Sequence, residues 1–196
     1  MLKFKNIIGI SILATLFFAS CNSVQQKATE NGNSINTADF LQKGDTITAL
    51  VQKVLLANVM TAMKTGGPVN AVSFCNVHAI PLTDSMAVEY NCIIQRVSDK
   101  YRNQANKLSE ADADILAKMS SFNPMKPVLV SENGRMVYYK PIKIAMPACL
   151  KCHGSLGKEI DSKTLEIINQ KYPNDLATGY KEGDLRGLWK ITFLEE

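Results

Sequence analysis

The sequence predicts an α+β domain, because helical periodicity dominates its first part and short strand patterns dominate its second part. Apolar residues recur at three- and four-residue steps over 38–65, which is typical of a long helix. Two β-rich segments, 128–130 and 136–139, flank Asn133-Gly134, the strongest two-residue hairpin signal in the chain. A length of 196 residues with 46% hydrophobic and 20% charged side chains fits one domain with a buried core and excludes a largely disordered protein.

The helices and strands are predicted in the following order. The helix over 38–65 ends at Gly66-Gly67-Pro68, and a second helix over 69–80 is broken by Pro81. The remaining elements are a helical turn over 83–90, a strand over 92–97, a helix over 109–121 that opens with a capping box, the hairpin, a helix over 161–172 ended by Pro173, and a last strand over 187–194. The strands are few and interrupted by helices, so we expect an antiparallel sheet with N-terminal long helices and inserted helices.

The N-terminal residues 1–20 are predicted to be a lipoprotein signal peptide. Lys3 and Lys5 precede an apolar run over 7–19, which is too short to span a bilayer as a helix. The segment Phe18-Ala19-Ser20-Cys21 resembles a lipobox, so we expect a lipidated Cys21, a flexible polar tether over 21–40 and a domain over 41–196. An ordinary secretory signal with an incidental cysteine and a retained anchor helix are the alternatives. The lipid anchor would hold the chain at the cell envelope, facing the periplasm or in the outer membrane.

The charge of the chain gives no sign of a nucleic-acid partner. It has 22 basic and 18 acidic side chains, and removal of residues 1–20 takes away two of the lysines. No block of Lys and Arg is long enough for a nucleic-acid arm. The membrane is therefore the expected partner, and acyl chains rather than a basic face would hold the protein there.

The segment Cys149-Leu150-Lys151-Cys152-His153-Gly154 contains C-x-x-C-H, the pattern of c-type haem attachment. Each cysteine sulfur adds to one haem vinyl group, and the histidine that follows supplies an axial nitrogen to the iron. One motif predicts one covalent haem. A structural zinc site lacks a second pair of ligands, a thioredoxin-like redox pair lacks its βαβ setting, and a structural disulfide is a further alternative.

The second axial ligand has few candidates, since the chain holds five cysteines and two histidines. Cys75 and His78 lie three residues apart on a predicted helix and could face one pocket as thiolate or imidazole. Met146 is a third candidate, and an open sixth position is the fourth. The spacing alone leaves all four open.

Four segments, 75–79, 96–106, 149–154 and 172–187, together resemble the family called domain of unknown function 3365. The resemblance covers about residues 45–194. It implies a PAS-like fold with a single c-type haem that carries His153 on one side and a cysteine aligned with Cys75 on the other. His78, one turn from Cys75, departs from the family pattern and leaves ligand exchange open.

The family-like segments also contain candidate partners for the haem propionates. Arg96, Arg102 and Asn106 are predicted to bind these carboxylates by charge-assisted hydrogen bonds, and the alternative is a solvated polar loop. Tyr180 and Arg186 are candidates of the same kind, with the same alternative of a solvated polar loop. Cys92 has no part in this chemistry and is predicted to be a buried strand residue; a disulfide to Cys75 would compete with haem ligation.

These features predict a haem-based redox or gas sensor with His/Cys axial ligation. Its ligand would be NO, CO or O₂, and a separate signalling or redox protein would be its partner. A membrane-tethered periplasmic electron-transfer cytochrome c is the alternative. A haem enzyme needs an open distal site and an acid–base group, so we expect no enzyme. An anionic thiolate would stabilise ferric iron and lower the reduction potential.

Overall fold

The computed structural model describes residues 36–194, so the predicted signal peptide, Cys21 and most of the tether lie outside the described residues. The helices are α1 (Thr37–Glu89), α2 (Glu110–Ser120), α3 (Pro147–His153) and α4 (Ser162–Lys171), with a short 3-10 turn at Gln104–Asn106. The strands are β1 (Cys92–Val97), β2 (Val128–Glu132), β3 (Arg135–Lys143) and β4 (Leu185–Phe193). The α+β class is confirmed.

The four strands form one antiparallel sheet in the order β1-β4-β3-β2. The predicted hairpin is confirmed: Glu132 pairs with Arg135 across Asn133-Gly134, whose φ angles are 51° and 81°. A two-residue hairpin with two positive φ angles needs residues that tolerate this region, and asparagine and glycine do so best. The first and last strands of the chain pair with each other, so the sheet brings β1 next to β4.

Helices cover both faces of the sheet. Side chains alternate along the strands, so each strand contributes side chains to the packing on both faces. On one face, Ile47 and Val51 of α1 pack against Tyr138 and Trp189. On the other face, Met119 of α2 packs in a second core cluster. The predicted capping box of α2 is confirmed, since the Ser109 and Asp112 side chains bond reciprocally at its start. By length and composition α1 could cross a membrane, but its apolar residues include those that pack on the sheet.

The predicted break at Gly66-Gly67-Pro68 is present, because both glycines leave the helical region of φ and ψ and divide α1 into two rods. The predicted break at Pro81 is wrong, since helix continues to Glu89. Pro81 removes the backbone donor that would reach the carbonyl of Val77. Val77 is 58% exposed, so water can satisfy that carbonyl and the helix persists. The helix also begins at Thr37, so the last residues assigned to the tether, 37–40, are helical.

Helix α3 was not predicted from the sequence. It has seven residues, too few for an apolar period to show, and its first residue is Pro147, which favours a helix start. The strands β2 and β3 are longer than predicted, and β4 begins two residues earlier, at Leu185. The new helix matters for function because it carries the C-x-x-C-H motif.

Candidate functional site

A large cleft lies where both rods of α1 approach α3 and β1. It encloses about 1020 Å³, its open mouth included, and an adjoining space of about 950 Å³ shares Arg96, Met146, Cys149 and His153 among its lining residues. A concave site bounded by apolar side chains is the usual setting for an organic ligand. The lining is mostly apolar, and its charged side chains are arginines.

Each rod of α1 gives one apolar face to the cleft. The side chains recur at helical spacing and come from both sides of the glycine break: Leu55, Leu56, Val59, Met60, Met63, Ala71, Val72, Cys75, Ala79 and Ile80. The break is needed for this arrangement, because a straight helix could not bring both stripes to one cavity. Gly67 makes it possible, since its φ of 66° is a conformation that side chains other than glycine rarely adopt.

Helix α3 presents Cys149, Cys152 and His153 to the same cleft. The two cysteines are half-buried free thiols, and residues three apart on a helix share a face. Burial raises the pKa of Cys152 to about 11, although the Arg102 charge opposes this. The motif predicted from the sequence therefore lies on one short helix at the edge of an apolar cavity.

The ring of His153 is held in one orientation by a hydrogen bond. Its Nδ1 lies 2.8 Å from the carbonyl oxygen of Ala177. A carbonyl only accepts, so Nδ1–H donates, and Nε2 keeps its lone pair. Burial and the charges of Arg102 and Arg186 lower the pKa of His153 well below its ordinary value, which keeps the imidazole neutral. A neutral ring with Nε2 unprotonated is the form that ligates a metal.

The loop after α4 holds the end of α3 in place through backbone hydrogen bonds. Tyr180 N–H donates to the His153 carbonyl at 2.9 Å, and Gly179 N–H donates to the Gly154 carbonyl at 2.8 Å. The ring of Tyr180 also stands edge-on to that of His153, with centroids 6.2 Å apart. The sequence analysis assigned no role to Ala177. The sequence signal for this contact was the occurrence of the family-like segments 149–154 and 172–187 in the same chain. It could not show that the second segment hydrogen-bonds to the backbone of the first.

Arg102 lines the cleft, but its guanidinium is committed to protein groups. Nε and Nη2 donate to the two carboxylate oxygens of Asp175 at 3.1 and 3.2 Å, and Nη2 also donates to the Cys152 carbonyl at 2.6 Å. Both side chains of the ion pair are at most 10% exposed. The position of Arg102 thus fits a clamp that joins α3 to the loop after α4.

Replacing Arg102 with leucine is expected to reduce the free energy of unfolding by about 3–5 kcal/mol, because Asp175 would remain buried without a counter-charge. Urea unfolding monitored by circular dichroism measures this loss. Lys43→Leu is the matched control: its ion pair with Asp39 leaves both side chains more than half exposed, so it should cost at most about 1 kcal/mol. Equal losses in the two variants would contradict the assigned clamp.

Arg96 and Arg186 differ from Arg102, because neither forms an ion pair with a carboxylate within residues 36–194. The side chain of Arg96 makes no hydrogen bond within these residues, and Arg186 donates through Nη1 to Ser98 Oγ at 3.1 Å and to the Lys100 carbonyl at 3.0 Å. Both arginines line the cleft, and burial lowers the pKa of each. Both side chains are half-buried, and a partly desolvated cation without an acidic partner is costly, so this part of the cleft favours an anionic ligand. Asn106 lines both the cleft and the adjoining space.

The structure separates the two residues that compete as second axial ligand. Cys75 lines the cleft, and burial raises the pKa of its thiol, while Arg96 and Arg102 oppose that effect. His78 is exposed and does not line the cleft; its ring lies against Phe74, with centroids 5.0 Å apart. Cys92 is buried in β1 opposite Phe193 and is a free thiol, so it is the strand residue that was predicted. Met146 also lines the cleft.

The fold and the cleft together define a single-domain α+β protein with a C-x-x-C-H helix at the edge of an apolar cavity. A family model described as Tll0287-like: Tll0287 matches residues 14–193, so the chain belongs to the Tll0287-like family. Among solved structures, the chain is similar to the one titled "Crystal structure of the cyanobacterial heme-protein Tll0287". That match has a TM-score of 0.61 and 22% sequence identity, and it covers 81% of this chain and 96% of the other. No curated protein matches the chain.

The similarity shows a shared fold, and the family match relates the chain to a protein described as a heme-protein. The family name inferred from the four sequence segments differs from the description of the matching model and stays a prediction. The PAS-like topology and the lipoprotein signal also stay predictions.

Proposed function

We propose that this chain is a monohaem c-type cytochrome that acts as a redox or gas sensor. The observation that carries the proposal is the placement of Cys149, Cys152 and His153 on one helix beside a cleft of about 1020 Å³. The relative titled a heme-protein supports a haem as the ligand. When bound, haem supplies a one-electron redox centre.

The chain's own residues fit this group at each of its chemical parts. Cys149 and Cys152 would form thioethers with the two vinyl groups, and His153 would ligate the iron through Nε2, because Nδ1 donates to Ala177. The apolar side chains of α1 would cover the porphyrin face and exclude water. Arg96 and Arg186, which have no carboxylate partner within residues 36–194, would neutralise the two propionates by charge-assisted hydrogen bonds.

Cys75 is the proposed second axial ligand, since it lines the cleft and His78 does not. Burial raises the pKa of the Cys75 thiol, and the nearby positive charges of Arg96 and Arg102 oppose that effect. An anionic ligand favours ferric iron, so reduction would weaken the bond between iron and sulfur. A ligand that leaves on reduction gives the protein two coordination states, which is what a sensor requires.

A specific observation also favours a switching role over simple electron transfer. Cys75 belongs to the second rod of α1, and the glycine break at Gly66-Gly67 separates that rod from the first. Release of Cys75 would remove one restraint on the second rod, and a partner protein could detect the change. The competing proposal is a membrane-tethered periplasmic electron carrier, which would keep both ligands in both redox states. Under either proposal Cys21 is the lipid anchor at the cell envelope.

The response of the reduced protein to CO tests the proposed function. A sensor should bind CO after reduction with dithionite, and the Soret band should shift to that of a carbonyl complex, because the distal ligand is exchangeable. The ferric protein, with its thiolate in place, serves as the control. A reduced spectrum that does not change under saturating CO would contradict the sensor and favour the carrier, because a carrier retains its ligands. Failure to find covalent haem at all would contradict both.

A further inference from the structure

Three methionines line the cleft, and two of them, like Cys75, do not line the adjoining space. Met60 and Met63 belong to the first rod of α1 and lie one turn apart. They line the cleft of about 1020 Å³ and do not line the adjoining space. Met146 lines both spaces and precedes the attachment helix, so it belongs to the side of Cys149 and His153. Met60 and Met63 therefore line the same space as Cys75, and they come from α1 as Cys75 does, whereas Met146 lies next to the helix that carries Cys149 and His153.

We propose that the Met60–Met63 pair supplies a replacement axial ligand when the haem iron is reduced. The inference rests on the proposed haem function and states which residue would occupy the second axial position of the iron after reduction. A thioether is a neutral, soft donor, and methionine ligation favours ferrous iron. Cys75 would hold the ferric iron and a methionine sulfur the ferrous iron. The apolar side chains that recur on this face, Leu55, Leu56 and Val59, offer no competing donor.

The exchange balances with one electron and one proton. An external one-electron donor would reduce the iron from the ferric to the ferrous state. The bond from iron to the Cys75 sulfur would break, its electron pair would stay on that sulfur, and the sulfur would accept a proton from water to become a thiol. A methionine sulfur would then donate a lone pair to the iron in its place.

The two rods of α1 give the exchange a structural consequence. Met60 and Met63 precede the glycine break, and Cys75 follows it. Reduction would therefore transfer the bond to iron from the second rod to the first. Gly67, at a φ of 66°, and Gly66, also outside the helical region, are the points at which one rod can turn relative to the other. Asn70 Nδ2 donates to the Ala62 carbonyl at 3.0 Å and limits that turn.

Absorption and magnetic circular dichroism spectra of the dithionite-reduced protein test the proposal. The wild type should show a six-coordinate low-spin ferrous haem. The Met60→Leu/Met63→Leu double variant should become five-coordinate and high-spin when reduced, while its ferric spectrum should not change. Leucine is close to methionine in volume, so the fold should tolerate both changes. CO should associate with the double variant at least about tenfold faster, because no thioether has to leave.

Two control variants complete the design. Met86→Leu changes a methionine that packs against the core between α1 and the sheet and does not line the cleft. This variant should leave both spectra unchanged. The single variants Met60→Leu and Met63→Leu identify the ligand, since only one of them should reproduce the double variant. A double variant that stays low-spin when reduced would overturn the inference, even though haem binding itself stands. A wild type without covalent haem would instead overturn the proposed function.

Discussion

A protein in which Cys149 and Cys152 are both serine is expected to carry no haem that survives acid-acetone extraction. A serine hydroxyl does not form the thioether that a cysteine sulfur forms with a haem vinyl group. The wild type should retain one haem per chain after extraction, and the double variant none. Pyridine haemochrome spectra of the extracted protein measure both amounts. This is the largest expected effect, because it removes the covalent attachment as a whole.

Single variants serve as controls for this experiment. Cys149→Ser and Cys152→Ser each leave one cysteine on the face of α3 that lines the cleft, so each should keep part of the attached haem. Cys92→Ser changes a thiol buried in the sheet core and should leave attachment intact in the protein that folds. Covalent haem in the double variant, or its absence from the wild type, would show that the C-x-x-C-H motif has another function here.

Replacing Cys75 with alanine is expected to abolish the thiolate-type low-spin signal of the ferric haem and to raise its reduction potential. The thiolate is the anionic ligand that stabilises ferric iron, so its loss favours the ferrous state. The rise should be a substantial fraction of the about 0.8 V over which axial ligands set haem potentials. Electron paramagnetic resonance of the ferric protein and a redox titration measure the two effects.

The matched controls are Cys92→Ala and His78→Ala. Cys92 is 4% exposed in the sheet core, so its replacement should lower stability and leave the spectrum unchanged. His78 is exposed and does not line the cleft, so its removal should also leave the ferric spectrum unchanged. A changed ferric spectrum in His78→Ala, together with an unchanged one in Cys75→Ala, would reverse the assignment of the distal ligand.

Local sequence signals predicted most of the secondary structure. Asn133-Gly134 predicted its hairpin because few residue pairs accept two positive φ angles, and Ser109 predicted the start of α2 because a side-chain cap acts within three residues. The predicted break at Pro81 was wrong, because the cost of an internal proline depends on whether water reaches the carbonyl that it leaves without a hydrogen bond. The sequence does not show that. Helix α3 was missed because seven residues are too few for a period.

The site was predicted unevenly, and the reason is the range of each interaction. The C-x-x-C-H spacing is a local chemical requirement, so the sequence alone was enough to predict Cys149, Cys152 and His153 as the haem-binding residues. The family-like segments added Arg96, Arg102 and Asn106, but they could not show that Arg102 is committed to Asp175 while Arg96 has no acidic partner within residues 36–194. That difference comes from contacts between residues far apart in the chain.

The sequence by itself determined the α+β class, the hairpin and the C-x-x-C-H motif, because each depends on neighbouring residues. Only the tertiary structure decided how Cys75 and His78 differ. Residues three apart lie about 60° apart around a helix, so a spacing rule places both on one broad face. The bend at Gly66-Gly67 and the packing of α1 against the sheet and α4 decide which part of that face lines the cleft. Cys75 lines the cleft and His78 faces solvent. The helical period cannot predict this difference, because it depends on which neighbouring elements pack against each side of the helix.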